Sequence, residues 1–176
     1  MFKEDEVMGV SELAVIFPLA GMEVGDTYVL NDIPLHLTAL SNARLDGPAS
    51  MFVEDVRGVA VGHTPFTARA LDLEMFGPNA DILVTEVTVV PPLRQLHEAL
   101  CDAARQRGGK AVEPRYWGAG FRAHVTKTPR GLSVEPGAEL RLDRLALIDC
   151  TESIRRVVWV EPLATATLTA SSRERS

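Results

Sequence analysis

The chain has 176 residues, is 46% hydrophobic and 24% charged, and carries a net charge of −6. That length fits one domain, or two small lobes on a shared core, and the acidic balance excludes a protein that coats nucleic acid. No apolar run approaches the roughly 20 residues of a membrane helix, and Cys101 and Cys150 are too few to staple the chain, so free thiols are expected.

The N-terminal MFKEDEVMG is acidic where a secretory leader would be basic and then apolar, which points to a cytoplasmic protein without a membrane partner. Residues 11–19 (SELAVIFPL) are apolar and β-branched and predict a buried strand, and residues 33–40 (IPLHLTAL) predict a second. After Gly47 and Pro48, residues 49–61 predict an irregular amphipathic helix. PFTARALDLEMFG and ADILVTEVTVV alternate apolar with polar residues, giving two strands joined by a turn at GPN.

Residues 92–107 form the clearest helix. Leu93, Leu96, Leu100 and Ala104 fall at helical spacing, two prolines open the segment and RGG closes it. A basic, aromatic loop, KAVEPRYWGAG, leads into a strand at 121–128. AELRLDRLALID and IRRVVWVEPL each predict one closing strand, and the small, polar tail 164–176 predicts disorder. The order β, β, α, β, β, α, β, β, β is that of an α+β fold with mostly antiparallel sheet, over a single domain at 1–163.

The charge is uneven: residues 1–32 hold seven acids against Lys3, and residues 105–130 hold seven bases against Glu113. The basic segment contains FRAHVTKT, which repeats the arrangement of PLHLTAL: a histidine, an aliphatic residue, a threonine. In a strand, residues i and i+2 share a face, so His36 lies with Thr38 and His124 with Thr126, while Leu37 and Val125 point the other way. Side by side, two such strands present two imidazoles and two hydroxyls to one cleft. That set suits phosphoryl chemistry without a metal, with one imidazole as base, the other as acid, and the hydroxyls on non-bridging oxygens. From spacing alone, two unrelated strand histidines are the alternative.

PLHLTAL resembles the first motif, and GAGFRAHVTKT the second, of the two-histidine phosphoesterase superfamily, which includes RNA 2′,3′-cyclic phosphodiesterases and proteins named 2′-5′ RNA ligases. The strand, turn, strand segment PFTARALDLEMFGPNADILVTEV and the helix LRQLHEAL are similar to the segments between the motifs. The second motif departs from the family in having Ala123 where a proline often precedes the histidine. The resemblance implies a bilobal fold of two pseudo-symmetric sheets with flanking helices and a central cleft. It also implies His36 and His124 as the acid/base pair, Thr38 and Thr126 as phosphate ligands, and no cofactor or metal. The activity implied is metal-independent phosphodiester cleavage at a 2′,3′-cyclic RNA end or in a 2′-5′-linked or cyclic oligonucleotide. A second role open to the family is destruction of cyclic nucleotide defence signals. A protein that binds a nucleotide without turning it over is the reading from another class.

Around the motifs, Arg122 shares the face of His124 and is a candidate phosphate ligand, against an arginine reaching solvent. Tyr116 and Trp117 are candidates for stacking on a base, against covering a core edge. Lys127 is expected outside the site and Arg130 at its rim. His97 is expected at the boundary of the helix's apolar face, and His63 in capping or packing. An RNA end or a small nucleotide is the expected partner, with a monomer as the default.

Overall fold

The computed structural model describes residues 9–29 and 32–164. Ten strands form one antiparallel sheet: β1 Val10–Pro18, β2 Thr27–Val29, β3 His36–Asp46, β4 Phe66–Phe76, β5 Ile82–Val87, β6 Lys110–Ala111, β7 His124–Thr126, β8 Glu139–Leu142, β9 Arg144–Asp149 and β10 Ile154–Pro162. Among the described residues, two α-helices, α1 Val53–Val61 and α2 Pro91–Gln106, pack with the sheet. The spatial order is β2-β10-β9-β1-β3-β7-β5-β4-β8, with β6 on β3. One half of the sheet is thus built around β1 and β3, the other around β5 and β7, and the halves meet where β3 pairs with β7. The fold class is α+β, as the element pattern implies.

Alternation along β1 divides the interior. Leu13, Val15 and Phe17 face the main core, where Val56 and Ala60 of α1 and Leu93, Leu96, Leu100 and Ala104 of α2 pack against them. Ala14 and Ile16 face the other way and join Ala146, Ile148 and Val157 in a smaller cluster. Each fully buried leucine contributes about 1.5–3 kcal/mol of apolar burial, so the helices hold the sheet from one face and leave the other for the site.

Three sequence expectations are corrected. AELRLDRLALID is two strands, because β8 pairs with β4 in one half and β9 with β1 and β10 in the other, with the crossing at Asp143. The strand expected at 121–128 shortens to β7, since residues 121–123 form no strand and the chain turns after Thr126. Residues 49–61 begin as a 3-10 turn, Ala49–Phe52, before α1. The short strands β2 and β6 carry no alternation to read. The tail expectation falls almost wholly outside the described residues.

Candidate active site

Leu37 of β3 pairs with Val125 of β7 in the antiparallel ladder. Both side chains are fully buried in the main core. Their neighbours on either side therefore face the opposite surface: His36 lies beside Thr126, and Thr38 beside His124. All four are half-buried and line one cleft of about 740 Å³.

Each imidazole is held in the same way. Nδ1 of His36 lies 2.8 Å from the Pro34 carbonyl, and Nδ1 of His124 lies 2.9 Å from the Arg122 carbonyl. A carbonyl only accepts, so both rings carry their proton on Nδ1 and leave Nε2 open. Burial lowers the pKa of His36; the Pro34 carbonyl opposes this shift, and proximity to His124 adds to it. Burial likewise lowers His124, the Arg122 carbonyl opposes, the Arg122 charge lowers it further, and Glu86 pulls the other way. Phe76 packs against the His124 ring at 4.8 Å with an interplanar angle of 60°.

The β3 strand reaches the site through two irregularities. Against β1 its register slips between the Leu13–Ala43 and Val15–Leu40 pairs and again before Ile16–Thr38, each slip placing an extra residue on β3. Ala39 and Leu40 are both buried in the main core, and Ser41 and Asn42 both line the cleft. Such bulges re-aim side chains, and here they add two polar groups that strict alternation would not place together.

Arg122 lines the cleft, with its guanidinium paired to Glu86 and lying 4.4 Å from the Phe76 ring centroid, so its charge is already partnered. Tyr116 lines the cleft and is exposed. Trp117 does not line it: it is 6% exposed, and its indole N–H donates to the Ser41 carbonyl at 3.2 Å. The loop turns Trp117 inward, and as a core residue it has no ring face open to a base. Lys127, expected outside, lines the cleft because it follows the last residue of β7, where strand alternation no longer applies. Arg130 pairs with Asp32 at 3.3 Å, joining the segments that flank the two motifs.

His97 is not a boundary residue but fully buried. Its Nδ1–H donates to the Ala39 carbonyl at 2.7 Å, and Nε2 accepts the Gly118 N–H at 2.9 Å. The ring stacks on Phe121 at 3.9 Å. It thereby ties α2 to the residue after Thr38 and to the loop that leads into β7. His63 caps α1, donating from Nδ1 to the Val59 carbonyl at 2.8 Å. Both cysteines are free, and burial pushes the Cys150 thiol up to about 11, so it lines the cleft protonated.

Sequence reasoning missed Phe76, Ser41, Asn42, Cys150 and Arg155 in the cleft wall. The bulges hide the second and third, and Arg155 sits on a strand four places away from β7 in the sheet, with no motif to mark it.

No protein-family model matches the chain, and no curated protein matches its sequence. Solved structures do. LigT of E. coli, in a crystal structure with 3′-AMP, superposes with a TM-score of 0.54 at 13% identity, over 89% of this chain and 100% of that one. A structure described as a phosphoesterase gives 0.53 at 14% identity, over 89% and 100%. TT0787 of Thermus thermophilus gives 0.54 at 17% identity, over 88% and 99%. At these identities the likeness is one of fold, and it covers most of the chain. The chain has the fold of LigT and of this phosphoesterase, the fold implied by the resemblance of its two histidine motifs.

Proposed function

We propose that the protein is a phosphodiesterase that opens 2′,3′-cyclic phosphates at RNA ends, or cuts 2′-5′-linked or cyclic oligonucleotides, with His36 and His124 as its acid/base pair. The observation that carries this reading is the matched pair of imidazoles. Each is tied by Nδ1–H to the carbonyl two residues back, and each stands beside the other motif's threonine in one cleft. LigT structures with 3′-AMP, NADP+ and ATP support nucleotides as the ligand class for a cleft in this fold.

In the hydrolytic step, neutral Nε2 of one histidine takes a proton from water as the water oxygen attacks phosphorus. The bond from phosphorus to one ribose oxygen breaks, and the imidazolium of the other histidine protonates that oxygen. The hydroxyls of Thr38 and Thr126 donate to the non-bridging oxygens, where negative charge grows. A burial-lowered pKa suits the base, and the bound anion raises the pKa of whichever imidazole acts as acid.

A panel of nucleoside 2′,3′-cyclic phosphates, 2′-5′ oligoadenylates and cyclic oligonucleotides, with and without chelator, tests the proposal. Replacing either His36 or His124 with Ala is expected to cost about 10²- to 10⁴-fold in turnover. A loss below about tenfold, or turnover abolished by chelator, would sink it.

A further inference from the structure

The cleft extends well beyond the histidine pair. Thr38 is level with Ile16, which pairs with Ala146 of β9. Cys150 lies four residues further along the chain, and Arg155, next to the Arg156 that pairs with Asp149, stands opposite it on β10. β10 is three places from β3 in the sheet. Strand spacing and residue rise together put Arg155 roughly 15–20 Å from Thr38, yet both line the same cleft.

Arg155 is fixed there by the turn between β9 and β10. Its Nη1 donates to the Cys150 carbonyl and to the Glu152 carbonyl, the latter at 3.1 Å. Neither acceptor is a charge, and among the described residues no carboxylate lies within ion-pair distance of the guanidinium. Of the two acids near Cys150, Glu12 is taken up by Asn42 at 2.6 Å and by Arg44 at 3.7 Å, and Asp149 by the Thr151 hydroxyl at 2.6 Å. Nε and Nη2 of Arg155 therefore keep their donors. Between Arg155 and the motifs, Ala14, Ile16 and Ile148 make an apolar floor. Beside it, the buried Ser41 hydroxyl has no hydrogen-bond partner among the described residues.

A preoriented, uncompensated guanidinium at one end of a cleft, with a flat apolar floor leading to a phosphodiester site at the other, fits a chain that carries phosphates at intervals. We propose that Arg155 binds a second, remote phosphate, and that the preferred substrate is a single-stranded oligoribonucleotide rather than a mononucleotide. The phosphate adjacent to the reacting one cannot reach so far. The proposal rests on the phosphodiesterase reading and deepens it.

The test compares kcat/KM for a nucleoside 2′,3′-cyclic phosphate with that for an oligoribonucleotide ending in the same group, in the wild type, Arg155→Met and Arg155→Lys. Loss of one charge-assisted contact lowers the oligonucleotide value about tenfold in Arg155→Met, with mononucleotide turnover within about twofold of wild type, which also reports an intact fold. The salt dependence of oligonucleotide binding loses about 0.7 in logarithmic slope in Arg155→Met and keeps it in Arg155→Lys. Equal effects on the two substrates, or none, overturn the remote subsite while leaving the phosphodiesterase reading in place. If the wild type turns over neither substrate, the cyclic-phosphate branch of that reading falls. The affinity of a 3′-phosphorylated oligoribonucleotide then decides for Arg155, with an unchanged affinity in Arg155→Met overturning it.

Discussion

Leu37 stands opposite Val125, both fully buried, where the two halves of the sheet meet. This hydrophobic pair sets the chemistry of the opposite face, because a slip of one residue in either strand would turn its histidine and threonine into the core. Each imidazole is thereby placed next to the other motif's hydroxyl, and the two rings lie diagonally across the ladder.

The pH dependence follows from the direction of the histidine shifts. Burial lowers both His36 and His124 from the ordinary value of about 6.5, so in the free protein the form with one ring neutral and one protonated peaks on the acid side of that value. A plot of kcat/KM against pH is expected to be bell-shaped with its maximum below about pH 6.5. A maximum above about pH 7.5 contradicts the assignment of the pair. The same lowered values set the pH dependence of stability. His36, His97 and His124 all have folded values below the unfolded one, so their contribution is present above about pH 6.5 and is lost as pH falls through the lowered values. The urea midpoint is expected to be lower near pH 5 than near pH 7.5.

The threonines separate catalysis from folding. Thr38 and Thr126 are half-buried, and no hydrogen bond to either hydroxyl is made within the described residues, so nothing structural is lost with it. Thr38→Val and Thr126→Val are expected to lower kcat by about 10²-fold, the low end of what losing a donor to a growing oxyanion costs. The urea midpoint should stay within error, and Thr38→Ser should keep most of the activity. A fall in stability equal to the fall in rate would make the hydroxyls structural.

His97 and Gly120 hold the loop that delivers His124. His97→Ala strands the Ala39 carbonyl and the Gly118 N–H inside the protein, at about 1–3 kcal/mol for each orphaned group. At Gly120 a Cβ would sit 1.8 Å from the Arg115 carbonyl oxygen, a backbone atom that cannot yield without moving the loop. Both His97→Ala and Gly120→Ala are expected to lower the urea midpoint clearly, and His97→Gln, which keeps a donor and an acceptor, to lower it less. An unchanged midpoint in His97→Ala would show that the bridge carries no stability.

Where the sequence was legible, one physical signal acted alone. The α2 stripe of Leu93, Leu96 and Leu100 could be read because a helix face repeats without interruption, and His36 with Thr38 because that part of β3 alternates cleanly. Reading failed where tertiary contacts override local period. The bulges carry Ser41 and Asn42 together onto the cleft face, and the chain divides at Asp143, where the apolar alternation shifts phase, because its two sides pair with different halves of the sheet. His97 looked like a boundary residue, since no local pattern announces that the Gly118 loop will fold over it.

Tyr116 and Trp117, adjacent in one basic loop, are expected to part company under substitution. Trp117 is buried, lies 5.5 Å from the Arg105 guanidinium and donates to the Ser41 carbonyl, so its truncation empties a core site. Trp117→Ala is expected to cost about 3–5 kcal/mol in urea denaturation, as for other buried aromatics. Tyr116 is exposed on the cleft, with the Arg115 guanidinium 4.9 Å from its ring. Tyr116→Ala should change stability by no more than about 0.5 kcal/mol. If its ring stacks on a base, KM for a nucleotide substrate should rise by about fivefold or more with kcat nearly unchanged, since such stacking contributes about 1–3 kcal/mol. Tyr116→Phe would retain the stacking and the wild-type KM. A KM unmoved by Tyr116→Ala would assign the ring to the cleft wall and leave base recognition to the apolar floor between Ile16 and Ile148.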